Sequence, residues 1–422
     1  MSPLSRSISR VSAFAAALAL AAATAVAAPP AARVALRGAT IRPVSGAPIE
    51  NGVVLIENGK IAAAGPASLA IPSGFEVVDL PPGSVVSPAF VDAHSHLGVF
   101  RETDEISSAI TPEIRSKDAY DPGDETVSRV ARGGIATVLV SPQDGNVVGG
   151  RAAVLKPFRH SGGSADPRGR FLGSEPMKLS LGAGAVRGDR EPTSRPGLVR
   201  LLSGALAGAL AKPAGPAPSA RLYGSLEAER RTLLAELARG ERFALASAKT
   251  LEDAEVALAL AKAHPLRMRL VGALLAADAA PAIAAAKMSV ILPPLHSALS
   301  RQELRAPAEF HGKGVALAFS TAAPLSDPAS LRFSAALAVR SGLPEDAALR
   351  ALTLGGAEAA GVEKATGSLE AGKDADVAVW DGPPLALSSR LLRLYVDGEL
   401  VHSLPVPATQ AADAPSSPAE TL

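Results

Sequence analysis

The chain has 422 residues, enough for one large domain or for one large and one small domain with a substantial core. Its formal net charge is +1 and its charged residues are nearly balanced in sign, which argues against nucleic acid or an anionic membrane surface as a partner. Aromatic residues make up only 3%, which also argues against a base-stacking surface. Cysteine is absent, so a thiolate metal site is excluded.

The first residues have the pattern of a signal peptide. Arg6 and Arg10 form a basic start, residues 11–23 are small and apolar, and residues 25–27 supply a small-x-small cleavage pattern. We therefore expect residues 1–28 to be a signal peptide and the mature chain to be periplasmic or secreted, with no stable membrane span after cleavage. An uncleaved anchor is the alternative, but the apolar run is shorter than the ~20 residues that a span needs.

Two segments at opposite ends of the chain have the character of short β-strands. Asn58-Gly59 and Asp397-Gly398 each separate two such strands, and both dipeptides favour a two-residue hairpin turn. We expect residues 32–88 and 366–404 to form one small, composite β-sandwich domain. Residues 405–422 are rich in Pro, Ala, Ser and Thr, which predicts a disordered tail.

The middle of the chain alternates between short apolar strands and helices. Strands are predicted at residues 135–140, 243–246, 269–273, 289–292 and 315–319. Helices are predicted at residues 124–132, at 198–211 within a loop (182–218) over the barrel mouth, from a capping box at Thr250 and Asp253, and from near Asp327. This alternation predicts an α/β fold with a parallel sheet buried on both faces. The number of units favours a closed, TIM-like (β/α)8 barrel over residues 89–365.

The sharpest motif is "SPAFVDAHSHLGVF", in which Asp92, His94 and His96 are two residues apart. On a strand this spacing places both imidazoles on one face, at the carboxyl end of the strand. In a barrel that end is the mouth where active sites lie. Imidazole is a frequent zinc ligand, so the pair is a candidate metal site, although the same spacing also suits an ordinary structural pair.

Several segments together resemble the amidohydrolase superfamily of metal-dependent hydrolases. They are the histidine motif above, "PEDAALRALTLGGAEAAG", "ATGSLEAGKDADVAVWDG", and the stretches "GGIATVLVSPQDGNVVGGRAAVLK" and "SEPMKLSLG". The last two are similar to an imidazolonepropionase-related branch, and the resemblance covers residues 34–402. It implies a barrel with a small β domain and hydrolysis of C–N bonds in amides or small peptides by a zinc-bound water.

The resemblance also implies metal ligands that this chain lacks. The family places a histidine on the fifth barrel strand, another on the sixth, and an aspartate at the end of the eighth. At these places the chain has Ala246 or Ser247, Gly272 or Ala273, and Ser320 with Thr321. Alanine and glycine cannot bind a metal and neutral hydroxyls are poor zinc ligands, so we expect a vestigial or weak site at His94 and His96.

Other residues are candidate replacements for the missing ligands. His296 follows the seventh strand at the mouth, and Asp327 follows the eighth, although Asp327 also suits a helix cap. Lys156 and Lys178 are candidates for a carboxylated, metal-bridging lysine, but with no metal partners near them in the sequence we expect a solvated lysine at each.

Three functions follow from the sequence. The first is a protein that has lost the metal site and acts in binding or as a scaffold, for example beside an active paralogue. The second is an active hydrolase with one zinc ion held by His94, His96 and a replacement ligand. The third is a metal-free protein that binds a small molecule or peptide in the barrel mouth, with residues 182–218 as a lid. Zinc and the absence of any cofactor both remain open at this point.

Overall fold

The computed structural model describes residues 33–99, 104–158, 168–211 and 221–404. The expected signal peptide (1–28) and tail (405–422) lie outside these residues. Within them, no helix has the length and apolar character needed to cross a membrane.

The strands, in chain order, are β1 (Arg33–Ile41), β2 (Ile49–Glu57), β3 (Lys60–Gly65), β4 (Glu76–Asp79), β5 (Val85–Pro88), β6 (Phe90–Ser95), β7 (Ile135–Val140), β8 (Val148–Arg151), β9 (Ala153–Lys156), β10 (Arg170–Phe171), β11 (Met177–Ser180), β12 (Ala244–Ser247), β13 (Met268–Val271), β14 (Ser289–Leu292), β15 (Ala316–Phe319), β16 (Val377–Trp380), β17 (Leu391–Val396) and β18 (Glu399–Ser403). The α-helices are α1 (Ser116–Ala119), α2 (Arg195–Leu210), α3 (Arg221–Ala238), α4 (Leu251–Ala263), α5 (Ala280–Ala285), α6 (Arg301–Gly312), α7 (Ser330–Arg340), α8 (Glu345–Leu352) and α9 (Leu354–Ala360).

The two ends of the described chain meet in one eight-stranded sheet. Its order is β18-β17-β16-β5-β1-β2-β3, with β4 beside β1. Both hairpin turns have the expected positive φ angles, at Asn58 (53°) and Gly59 (74°), and at Asp397 (48°) and Gly398 (77°). These angles match a type I′ turn, which fits the twist of the two strands it joins.

The remaining long strands form a closed ring. β6 pairs with β7, β7 with β9, β8 with β11, and β11 through β15 pair in sequence order. The ring closes where the chain after β15 meets β6: Ala322 N donates to His94 O (3.1 Å) and His96 N donates to Ala323 O (2.7 Å). β8 and β9 follow each other in the chain and together form one barrel strand, the third. The barrel then has eight strands, so the predicted α/β barrel fold is confirmed.

The third barrel strand, formed by β8 and β9, runs in an unexpected direction. β8 and β9 are antiparallel to both neighbours, β11 and β7. The sequence analysis expected an all-parallel barrel. Buried parallel and antiparallel strands are both continuous apolar runs when both faces are covered, so the apolar pattern does not distinguish them.

The predicted helix at residues 124–132 is wrong. The chain there makes two short 3₁₀ turns, Val127–Arg129 and Ala131–Gly133. The Asp124 carboxylate accepts from Thr126 N at 2.7 Å, and Gly134 has a φ of 75°. A local side-chain bond at one end and a left-handed glycine at the other limit the segment to short turns.

Helix α9 lies against the barrel strands through two adjacent glycines. A Cβ on Gly355 would be 2.4 Å from Leu317 O, and one on Gly356 would be 2.8 Å from Val91 O. Only glycine permits this approach of helix to strand backbone. The core therefore depends on close backbone packing as well as on its aliphatic side chains.

Candidate functional site at the barrel mouth

The two histidines of the motif lie at the mouth end of β6, almost fully buried. Their rings are edge to face, with centroids 5.1 Å apart. His96 Nδ1 donates to Ser141 O (2.8 Å), which leaves its Nε2 as the free nitrogen, and His94 Nε2 is buried without a hydrogen-bond partner. Burial, with a smaller contribution from the charge of Lys178, holds the pKa of His94 well below its usual range. Burial also lowers the pKa of His96, so both rings are neutral at pH 7.

Asp92, the first residue of the motif, is bound to the end of the eighth barrel strand. Thr321 N donates to Asp92 Oδ1 at 2.9 Å, and Thr321 Oγ1 donates to Asp92 Oδ2. Burial raises the pKa of Asp92 to about 7, against the opposing effect of these hydrogen bonds. The hydroxyl of Thr321, one of the two residues expected in place of the family's aspartate, thus bonds to Asp92.

A buried ion pair occupies the neighbouring part of the mouth. Lys178, on β11, is fully buried, and its Nζ lies 2.8 Å from Asp144 Oδ1 and donates to Ser247 Oγ at 2.6 Å. Ser247 Oγ donates in turn to Asp144 Oδ1 at 2.6 Å, and Lys249 Nζ lies 2.8 Å from Asp144 Oδ2. We call these four residues (Asp144, Lys178, Ser247 and Lys249) the lysine cluster.

The lysine cluster is ionised. Burial would raise the pKa of Asp144, but the charges of Lys178 and Lys249, and their hydrogen bonds, hold it well below its usual range. The carboxylate therefore stays charged between two ammonium groups. In the low-dielectric interior this arrangement satisfies each buried charge with a partner of opposite sign.

The residues of the mouth do not fit the zinc site of the family. A catalytic zinc ion takes about three protein ligands, and the histidine pair supplies two. The hydroxyls at family positions are used elsewhere: Ser247 in the lysine cluster, Thr321 on Asp92, and Ser320 as a donor to Leu292 O at 2.8 Å. The backbone brings Ala246, Gly272 and Ala273 to the ends of β12 and β13, where they offer no ligand side chain. Among the residues that the structure describes, no group of three or more His, Cys, Asp or Glu could hold a metal ion.

The candidate replacements do not complete the set. His296 is exposed in the turn after β14. Asp327 is about half exposed, 3.5 Å from Arg129, and its Oδ1 accepts from Ala329 N at 2.9 Å, just before α7. This is a local turn bond and not a cap, because α7 has Ala329 at its N-cap with no side-chain capping bond, so the expected capping role of Asp327 is wrong. Neither residue joins the histidines in a metal-binding group within the described ranges.

The expectation of solvated lysines at positions 156 and 178 is wrong, because both side chains are fully buried. Lys156 Nζ lies between Asp374 Oδ2 (2.9 Å), Asp376 Oδ1 (2.7 Å) and Asp397 Oδ1 (2.6 Å). Burial lowers the pKa of Lys156, but the three carboxylates more than offset this and raise it. An anionic carbamate at either lysine would face carboxylates, so neither position suits a carboxylated lysine.

A cavity of 280 Å³ opens beside the lysine cluster, at the carboxyl ends of β11 and β12. Its lining includes Asp144, Arg195, Ser247, Lys249, Thr250 and Asp253. We call it the mouth cavity. The sequence analysis had missed Asp144, Arg195 and Lys249 as site residues. Asp144 and Lys249 closely follow the ends of β7 and β12, so a search of every polar residue that follows a barrel strand would have found them.

Comparisons with known proteins agree with this architecture. The sequence model of the amidohydrolase family matches residues 225–408. Amidohydrolase tasK of Hapsidospora irregularis is 26% identical, with 84% of this chain and 40% of that protein covered, so the chain spans about two fifths of its relative. A crystal structure of an amidohydrolase from Thermotoga maritima MSB8 superposes with a TM-score of 0.75 at 25% identity, covering 88% of this chain and 100% of the other. Together these matches support the resemblance of the chain to the amidohydrolase superfamily.

The fold extends to more distant structures. Molinate hydrolase superposes with a TM-score of 0.56 at 16% identity, covering 93% of this chain and 100% of the other. At that identity the match concerns the fold alone. In this chain the barrel mouth holds the histidine pair beside the lysine cluster.

Proposed function

We propose that this amidohydrolase-family protein binds a small molecule or a short peptide in its barrel mouth, without the metal-dependent hydrolysis of the family. The observation that carries the proposal is the lysine cluster, which places a buried ammonium group beside the histidine pair. A zinc ion bound by His94 and His96 would be repelled by that ammonium and would have Ser247 where the family has a histidine.

The same cluster argues against a metal-free nucleophile. Lys178 Nζ and Ser247 Oγ are 2.6 Å apart, a spacing that would suit a serine activated by a lysine base. Both atoms are held by the same carboxylate: Lys178 Nζ lies 2.8 Å from Asp144 Oδ1, and Ser247 Oγ donates to that oxygen at 2.6 Å. Asp144 itself is a weak base because its pKa is depressed. The cluster therefore suits a fixed electrostatic element better than a reacting one.

Metal analysis of the purified protein tests the proposal. The full chain is incubated with equimolar zinc, desalted, and measured by plasma mass spectrometry beside His94→Ala and His311→Ala, the latter a control at an exposed histidine on α6. We expect no stoichiometric zinc in any of the three. One zinc ion per chain that His94→Ala removes and His311→Ala keeps would overturn the proposal in favour of an active zinc hydrolase.

Ligand binding is tested separately by thermal shift. A ligand that stabilises the protein by binding to its native state should do so equally with and without a chelator, because no metal takes part. Loss of the stabilisation on chelation would contradict metal-free binding.

We further propose that the protein acts outside the cytoplasm. The basic, apolar and small-x-small pattern of residues 1–28 supports export. Cell fractionation followed by mass spectrometry of the N-terminal peptide tests it. We expect a mature N-terminus close to residue 28 in the exported fraction, and an intact Met1 in the cytoplasm would contradict export.

A further inference from the structure

We propose that the mouth cavity is a binding site for a small organic carboxylate, held by Lys249 and Arg195. This inference rests on the proposed binding function and names the class of ligand. It is carried by the charges and the unused hydrogen-bond donors around the cavity.

The lining of the cavity presents two accessible cations, Lys249 and Arg195, each paired with one carboxylate, Asp144 and Asp253. Lys178 lies behind this lining, fully buried against Asp144, and its charge acts over short distances in the interior. Lys249 and Arg195 are therefore the charged donors that an anionic ligand could reach.

The two accessible cations have donors to spare. Lys249 has a side chain 68% exposed and three N–H donors, and it pairs with Asp144. Arg195 is 39% exposed, has five donors, and lies 2.8 Å from Asp253 through Nη1. Donors thus remain on both side chains within the part of the chain that the structure describes.

The acceptors are more fully used. Asp144 Oδ1 accepts from Lys178, Ser247 and, at 3.3 Å, Ser180. Asp253 Oδ2 accepts from the backbone N–H groups of Lys249 (3.1 Å) and Thr250 (3.2 Å). A surplus of donors over acceptors favours a ligand that brings acceptors. A carboxylate does so, and its two oxygens match the planar guanidinium of arginine.

The size of the cavity restricts the ligand. At 280 Å³ it is near the lower end of the ~300–1,000 Å³ typical of small-molecule sites. The backbone packs closely on two side chains of the cavity lining: a Cβ on Gly182 would be 2.6 Å from Asp253 Oδ2, and one on Gly184 would be 2.8 Å from Asp144 Cβ. The two glycines let the chain pass directly over the carboxylates. We therefore infer a compact acid of amino-acid size.

The test uses pairs of probes that differ only in charge. Acetate, N-acetylglycine and N-acetylproline are each compared with the corresponding neutral primary amide, by thermal shift and titration calorimetry on the full chain. We expect at least one acid to bind and its amide to bind about tenfold or more weakly. Equal binding of every acid and its amide, or no binding by any acid, would overturn the carboxylate assignment.

Variants locate the site. We expect Lys249→Gln and Arg195→Gln each to weaken binding of the acid about tenfold, with little effect on the melting temperature because both side chains are more than a third exposed. Lys262→Gln, at an exposed lysine near the far end of helix α4, which begins two residues after Lys249, is the control and should bind as the unaltered protein does. Unchanged affinity in both mouth variants would overturn the inference. Binding of a neutral amide as tightly as its acid would leave metal-free binding in place while removing the carboxylate assignment, so the two proposals fail separately.

Discussion

At the scale of single residues, the mouth holds a buried ion pair beside the histidine pair. Lys178 brings a positive charge beside two neutral imidazoles, and Asp144 neutralises it. Removing one partner of such a pair leaves an uncompensated charge in a low-dielectric interior, which costs far more than the pair itself contributes. The stability of this region therefore depends on keeping the charges balanced.

Lys178→Met is expected to lower the free energy of unfolding by about 3 kcal/mol, because it leaves Asp144 with only the more exposed Lys249. Adding Asp144→Asn to Lys178→Met should recover part of the loss, since no buried charge is then unpaired. Lys249→Met, at a largely exposed side chain, should cost less than ~1 kcal/mol. Urea unfolding monitors all three, and a double variant no more stable than Lys178→Met would contradict the ionised pair.

Thr321→Val is expected to destabilise the protein by about 1–3 kcal/mol, because it removes the hydroxyl that donates to the buried Asp92 without changing the side-chain shape much. Thr321→Ser keeps the hydroxyl and should cost less. The measurement is thermal unfolding by calorimetry. Equal losses in the two variants would show that packing, and not the hydrogen bond, is responsible.

Part of the site was predictable from local sequence. The position of Asp92, His94 and His96 at one strand end followed from a spacing of two, and Ser247 and Thr321 lie at or next to the ends of two other strands, as expected. The lysine cluster did not, because Asp144 lies in the loop after β7 and meets Lys178 of β11 only through the closure of the barrel. A contact between residues far apart in the chain leaves no periodic pattern in the sequence from which it could be predicted.

At the scale of secondary-structure elements, glycines decide how closely a helix can approach the barrel. Gly355 of α9 leaves room for Leu317 O, whereas Gly204 of α2 has open space where its Cβ would be. Both glycines are in helices, so a change to alanine has a similar effect on helix formation at each. Only at Gly355 would the added Cβ also meet another part of the chain.

Gly355→Ala is expected to lower the free energy of unfolding by about 1–3 kcal/mol, because the new Cβ would overlap the Leu317 carbonyl and force the helix away. Gly204→Ala should instead raise it by about 0.5–1 kcal/mol, since alanine favours the helix and meets nothing. Chemical unfolding of the two single variants gives the comparison. A stabilising Gly355→Ala would contradict the close packing of α9.

The elements themselves were predicted unevenly. The strands at Ile135–Val140 and Ser289–Leu292 match the expected ranges, and the capping box at Thr250 and Asp253 starts α4 as expected. Apolar runs and caps are local, so they can be recognised in one sequence. The direction of a strand depends on which other strands it pairs with, and this is not visible in local sequence. The antiparallel direction of the third barrel strand was therefore not predicted.

At the scale of the whole molecule, an ionic network joins the barrel to the eight-stranded sheet. Lys156 ends β9 of the barrel, and Asp374, Asp376 and Asp397 belong to the chain that leads into and through the sheet strands. Lys60 of β3 and Arg170 of β10 also pair with Asp374. The two parts of the fold are thus held by charges that are mostly buried.

Stability should decrease in acid partly through this network. Burial tends to raise the pKa of Asp374, but the charge of Lys156 and the hydrogen bonds of Lys60 and Lys156 lower it overall. A depressed folded-state pKa contributes stability that is fully present above the unfolded value, 3.8, and is lost as the pH falls through the folded value. Unfolding measured from pH 7 down to pH 2 should show the loss beginning below about pH 5. Asp374→Asn should flatten that slope, and an unchanged slope would contradict the role of the network.

The antiparallel direction of the third barrel strand also shortens the connection between β7 and β8. A parallel neighbour of β7 would require a crossover, usually a helix, before the chain could pair again, whereas the antiparallel β8 and β9 return through residues 141–147 alone. Asp144 therefore lies in a short loop that is held at both ends by strands. Because the loop is short, little conformational entropy is lost when Asp144 is fixed beside Lys178. The reversal of the chain at residues 141–147 thus holds Asp144 rigidly at the wall of the mouth cavity.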